Sequence, residues 1–242
     1  MKLGLRLPLA LTVAAVLASP SPARAQTENE EGLTFDRSGF HGKAEVGLGL
    51  LGLPNARVCT NRALHFGCNS GDSSPMLELW QLFRPNPVFA MGAGATIGLF
   101  PVANAPKLDV VGISRDHKRG YLTAEMIARW YWLNGPAWES WIGGTGGLVV
   151  VSDTYTTNNE VTDRYVVGPR GVTIRTEGYT LGLAAGVSNV LSESWTVGAG
   201  FRYGLWFLPN APARDVLGDE ASLIGRVATI VIGINVGYRL QL

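Results

Sequence analysis

The chain has 242 residues, 46% hydrophobic and 16% charged, with 31 glycines. That composition is too apolar for a disordered protein and fits one large all-β domain. Twenty basic residues against nineteen acidic ones give a formal charge of +1, and no basic cluster is visible, so no nucleic-acid partner is expected.

At the N-terminus Lys2 and Arg6 precede an apolar stretch from Leu7 to Leu17, and Ala23-Arg24-Ala25 precedes Gln26. A charged start, a short apolar middle and an A-x-A exit read as a secretory signal peptide over residues 1–25. The apolar part falls short of the ~20 residues a membrane helix needs. Its removal takes away Lys2, Arg6 and Arg24 and shifts the formal charge from +1 to −2. Residues 26–38 then form a polar, acidic lead. Cys59 and Cys68 are the two cysteines of the chain, with His65 between them. In an oxidising compartment such a pair reads as one disulfide, whereas a structural zinc site wants four ligands and a fourth is not in view.

From residue 39 onward the recurring pattern is alternation with period two, the mark of strands. Segments 39–51, 76–83, 88–100, 120–133, 138–151, 175–190, 195–207 and 228–242 give eight. The clearest sets Trp195, Val197, Ala199, Phe201, Tyr203, Leu205 and Phe207 on one face against Thr196, Gly198, Gly200, Arg202, Gly204 and Trp206 on the other. Segments 76–83 and 138–151 are ambiguous in phase. Connections 84–87, 134–137 and 191–194 are short and rich in turn residues, while 52–75, 101–119, 152–174 and 209–225 are long and polar. Such alternation of short and long connections suits a transmembrane barrel with both chain ends on the short-turn, periplasmic side.

The composition of the two faces decides between solvents. A soluble ligand-binding barrel would place its large apolar residues inside, leaving mostly Gly and Thr as a poor soluble exterior. The reverse arrangement gives a lipid-facing band of Val, Ile, Leu and Phe around an interior of small and a few ionisable residues. Phe83, Phe89, Trp130, Trp132, Trp138, Trp195 and Tyr238 fall near the short turns, and Phe100, Tyr121, Trp206 and Phe207 near the long connections, as two interfacial aromatic belts would.

The final run, Asn235-Val236-Gly237-Tyr238-Arg239-Leu240-Gln241-Leu242, is similar to the assembly signal of the small eight-stranded outer-membrane β-barrels of Gram-negative bacteria. The chain resembles that superfamily from residue 39 to 242. The resemblance implies an outer-membrane location, contact with outer-membrane lipids, and recognition by the barrel assembly machinery through Asn235, Gly237, Leu240 and Leu242. In that signal the terminal residue is usually Phe, and Leu242 departs from it.

The inward-facing sets carry Lys43, Glu45, Glu125, Arg129, Arg202, Asn235 and Arg239, with Glu78 and Glu139 joining where the phase is ambiguous. Both signs are present, and unpaired burial is costly. A paired charge network that plugs the lumen is therefore expected. Enzymes of the resembled superfamily use a His with Ser and an acidic residue. His41 lies near a chain end and His65 and His117 in long connections; Ser114, Asp116 and His117 share one connection, read as a solvated loop, with no motif of those enzymes. No phosphate loop, dinucleotide fingerprint or HExxH occurs. The glycines of Gly92-Ala93-Gly94 and Gly198-Ala199-Gly200 sit inside strands. No catalytic residue, metal or cofactor is expected, nor a peptidoglycan-binding domain beyond the barrel. The expected function is a largely plugged barrel that displays four extracellular loops to an unknown ligand. A small transporter or channel for a small or hydrophobic molecule is the alternative, and a lipid-modifying enzyme the third.

Overall fold

A computed structural model describes residues 41–60, 67–103, 115–157, 171–215 and 220–241. The segments read as signal peptide and polar lead, together with His65, Ser114 and Leu242, lie outside the described residues.

The strands are β1 (His41–Thr60), β2 (Gly67–Asn86), β3 (Phe89–Gly98), β4 (Val102–Ala103), β5 (Arg115–Asn134), β6 (Trp138–Thr157), β7 (Gly171–Val190), β8 (Trp195–Phe207) and β9 (Arg226–Gln241). Each hydrogen-bonds its neighbours antiparallel, and β1 pairs with β9 while β3 pairs with β5, so the sheet closes on itself. β4 resumes the line of β3 along β5 after a break at residues 99–101. The ring therefore has eight staves. Its short turns lie at one rim, where His41 opposes Gln241; the long connections leave from the other, the mouth.

One side chain extends the closure at the β1–β9 seam. The direct ladder ends at Gly52 opposite Ile230, just before Pro54, which has no N–H to donate. Beyond it the Asn55 side chain stands in for backbone, donating from Nδ2 to the Arg226 carbonyl at 3.1 Å and accepting at Oδ1 from the Ala228 N–H at 2.8 Å.

Two expectations need correction here. The first concerns three of the long connections, whose described residues nearly all continue the wall. β1, β2, β5, β6 and β7 are each 20 residues long, roughly 66 Å at ~3.3 Å per residue, against the ~25 Å that an apolar band spans. The alternation persists past the expected ends, with Val149, Val151, Asp153 and Tyr155 all buried at steps of two. Polar residues alternating with inward ones read as loop, though they extend the same pleat.

The second concerns the lumen, which is not lined mainly by Gly and Thr. Trp80, Leu82, Ile127, Tyr131 and Trp141 fill it towards the short-turn rim. Leu51, Leu53, Met76, Tyr121, Val149, Val151 and Trp206 fill it towards the mouth. Tyr121 and Trp206 thus belong to the packed interior and not to an outer belt; a strand end fixes height along the barrel, and only phase fixes the side. The inward glycines make room for these rings. A Cβ on Gly94 would stand 2.4 Å from the Trp80 ring, and one on Gly186 would stand 2.6 Å from Trp141, their cross-strand partners.

Candidate functional site

Every charged residue expected in the lumen points into it. Lys43, Glu45, Glu125, Arg129, Arg202, Arg239 and Glu139 are buried and Glu78 is nearly so, which settles the phase of both ambiguous segments. Towards the short-turn rim they gather into three tiers, each built around one arginine, its carboxylates and one aromatic face.

In the tier nearest the rim, Arg84 donates from Nη1 to Glu139 Oε1 at 2.7 Å and from Nη2 to Asn134 Oδ1 at 3.2 Å, with Arg239 Nη2 at 3.9 Å from the same glutamate. Its guanidinium lies 3.8 Å from the centre of the Tyr131 ring. In the next tier Arg129 grips Glu45 with two bonds, Nη1 to Oε1 at 3.0 Å and Nη2 to Oε2 at 2.7 Å, while Lys43 Nζ approaches Oε1 at 2.9 Å. Arg129 stacks 4.0 Å from the Trp141 ring. In the third, Arg202 bridges Glu125 at 2.5 Å, Glu78 at 2.8 Å and Thr96 Oγ1 at 2.9 Å, and lies 5.5 Å from Trp80. Thr123 and Thr180 donate to the remaining lone pairs of Glu125. Bidentate pairing, further hydrogen bonds and a cation–π face are what make a buried ion pair tolerable.

Nearer the mouth lies the apolar layer, and beyond it a polar cluster absent from the residues expected. Arg119 on β5 donates to Asp72 Oδ2 at 3.0 Å, and the Tyr121 hydroxyl donates to that oxygen at 2.6 Å. His117 Nε2 lies 2.7 Å from Asp153 Oδ1, and its ring stacks on Tyr155 at 4.3 Å. His117 is therefore buried on a strand, which corrects its reading as part of a solvated loop, while Asp116 faces outward. Ser222, from the β8–β9 connection, donates its N–H to Asp153 Oδ2 at 2.9 Å and its hydroxyl to Oδ1, and accepts from Arg119 Nε at 2.7 Å. Serine, aspartate and histidine meet here in the wrong order for nucleophilic catalysis. A triad needs the imidazole on the hydroxyl, and in this cluster both bond the carboxylate.

Arg84, Asp72, His117, Arg119, Asp153 and Ser222 are the site residues the sequence reading missed. For Arg84 the signal was present, since it continues the inward series Trp80, Leu82 by one step of two; Pro85 masked it as a turn. His117 and Arg119 likewise precede Tyr121, Thr123 and Glu125 in phase. Ser222 carries no such signal, because it comes from a connection with no period. Among the described residues six cations (Lys43, Arg84, Arg119, Arg129, Arg202, Arg239) thus face six carboxylates (Glu45, Asp72, Glu78, Glu125, Glu139, Asp153). No group of three metal-ligating side chains is assembled among the described residues.

The outer surface is the inverse. Leu48, Leu50, Met126, Leu181, Leu183, Phe201, Ile232 and Ile234 stand 47–71% exposed, a continuous apolar wall that water would not support on a folded monomer. Trp130, Trp132, Trp138 and Trp195 are exposed towards the short-turn rim. A closed ring, apolar without and charged within, is a membrane-spanning barrel. Its fold is a closed antiparallel barrel of eight staves.

No family model and no curated protein matches the chain. Among solved structures it is similar to the Neisserial surface protein A, at 14% identity over 85% of this chain and 98% of that one, with a TM-score of 0.45. It is also similar to the attachment invasion locus protein Ail of Yersinia pestis, solved with a heparin analogue, at 12% identity over 82% and 99% of the two chains and a TM-score of 0.41. A third is the outer-membrane protease OmpT of Escherichia coli, at 11% identity over 84% and 97% and a TM-score of 0.43.

At the far end of β9, Asn235 and Gly237 face inward and Leu240 faces lipid at 40% exposure. The backbone register of β1 and β2 sets Cys59 opposite Cys68.

Proposed function

We propose that the barrel is a non-conducting outer-membrane scaffold, with the short turns and both chain ends in the periplasm and the β1–β2, β3–β5 and β6–β7 walls presented outside to a ligand. The observation that carries this reading is the stack of three ion-paired tiers. Each fills the cross-section with an arginine, its carboxylate partners and an aromatic ring; the cavity between the Arg129 and Arg202 tiers holds about 30 Å³, and one between the Arg202 tier and the apolar layer about 20 Å³, room for a water or two apiece. Eight strands enclose a lumen that side chains alone fill. A scaffold of this kind acts through its outer surface and needs no catalytic residue.

The same reading assigns residues 1–25 to export, Cys59 and Cys68 to a disulfide across the exposed wall, favoured by their opposed register, and Asn235, Gly237, Leu240 and Leu242 to recognition by the assembly machinery.

Conductance in planar bilayers tests the proposal. The purified barrel should give no defined unitary current at any voltage that the bilayer tolerates. Reproducible single-channel steps would replace the scaffold with a transporter or channel.

A further inference from the structure

Among the described residues, those of the β8–β9 connection turn inward. Its described arms, 208–215 and 220–225, pair with each other: the Leu208 N–H donates to the Gly225 carbonyl at 2.8 Å, the Gly225 N–H to the Pro209 carbonyl at 3.0 Å, and the Ala221 N–H to the Ala213 carbonyl at 2.8 Å. Gly225 takes φ +67° where the chain bends into β9, a conformation that suits glycine. The arm at residues 220–223 then drops into the mouth. Leu208 and Leu223 join the apolar layer with Leu53, Met76 and Trp206, while Ala221 packs on Tyr155 and Ile174.

We propose that the described arms of this connection, 208–215 and 220–225, form a latched lid: Ser222 seated on Asp153 holds them over the mouth, and release of that contact uncovers the apolar layer without opening the ion-paired lumen below. The polar contacts divide the latch into two halves. Asp153 belongs to the wall, fully buried and held from β5 by His117 at 2.7 Å with Arg119 Nε at 3.8 Å. Ser222 belongs to the lid and reaches Asp153 through both its N–H and its hydroxyl. The Tyr155 hydroxyl adds a bond to the Glu220 carbonyl. When the lid lifts, Asp153 keeps His117, and water at the mouth can replace what Ser222 supplied. The lid is thus fastened by few groups, each able to be hydrated when released, whereas the tiers below are closed by pairs that no water could replace at comparable cost. The apolar contacts of Leu208 and Leu223 set the cost of staying open.

Amide hydrogen exchange on the full barrel in lipid tests this, comparing the unsubstituted protein with Asp153→Ala and Ser222→Ala. In the unsubstituted barrel the amides of Ala221, Ser222 and Gly225, each of which donates a hydrogen bond, should be protected. Asp153→Ala should speed their exchange about tenfold or more, and Ser222→Ala, which keeps the Ser222 N–H bond to Asp153 but removes the hydroxyl shared with Asp153 and Arg119, several-fold, with amides of β8 and β9 unchanged in both. If Asp153→Ala does not fold, Ser222→Ala carries the test alone. Unprotected lid amides in the unsubstituted barrel, or no acceleration in either variant that folds, would overturn the latch. Neither variant should show unitary current; a defined current would overturn the claim that the lumen stays closed beneath the lid.

Discussion

The two halves of the lumen are packed by different physics. Towards the short-turn rim, Arg84, Arg129 and Arg202 each meet a carboxylate at 2.5–2.7 Å, and the apolar side chains there serve mainly as faces on which guanidinium groups stack. Towards the mouth, aliphatic and aromatic side chains do the filling, and the charges stand at the edge, tied to a lid. A charge tier is selective and brittle: each group is acceptable because a specific partner is present, and losing one strands the other. An apolar layer is tolerant, since any group of fitting volume serves. A closed lumen and a movable cap can therefore coexist in one barrel.

Removing a partner from the charge tiers should produce the largest loss. Arg129→Ala leaves Glu45 buried without its two bonds, although Lys43 remains, and should cost about 3–5 kcal/mol, measured by reversible unfolding in lipid. Adding Glu45→Gln to that variant should recover part of the loss, because the stranded charge is gone. If the double variant is no more stable than the single one, the tier is held by packing and the contrast between the halves fails.

At the mouth, Leu53→Ala should cost about 2–4 kcal/mol through lost contacts and a residual cavity. Leu53→Met should recover most of it, since volume is what that layer requires. A loss that Met does not recover would show the mouth to be as specific as the tiers. The smallest effect belongs outside both. Arg214 pairs with Glu220 on the lid, but its side chain is 67% exposed, so Arg214→Ala should change stability by less than about 1 kcal/mol. A larger change would mean that the outer face of the lid, and not Asp153, holds it down.

How much of this was legible in the sequence follows from where period two operates. In β8 and β9 the alternation ran clean from Trp195 to Phe207 and from Ala228 onward, and the faces read there are those observed. Lys43, Glu45, Arg129 and Arg202 were legible for the same reason: charges in phase with glycines point inward. Partner choice was not, because Glu45 and Arg129 lie 84 residues apart, and only the ring's closure sets them at one height. Strand ends were misjudged where polar residues took over the outward face above the membrane, as at Lys118 and Thr154. The aromatic lining was missed because glycine suggested a small interior, when Gly94 and Gly186 are small in order that Trp80 and Trp141 can be large. The lid left no trace in any pattern, since an aperiodic segment announces neither its direction nor its contacts.

Which side of the wall each residue faces is read directly by a lipid-soluble carbene footprint of the unsubstituted barrel. Photolysis in the bilayer followed by residue-level mass spectrometry should modify Leu183, Phe201, Ile232 and Ile234, and leave Met76, Trp80, Leu51 and Val231 unmodified. Labelling of Val231 and sparing of Ile232, adjacent on β9, would reverse the phase and contradict a charged, closed interior behind an apolar wall.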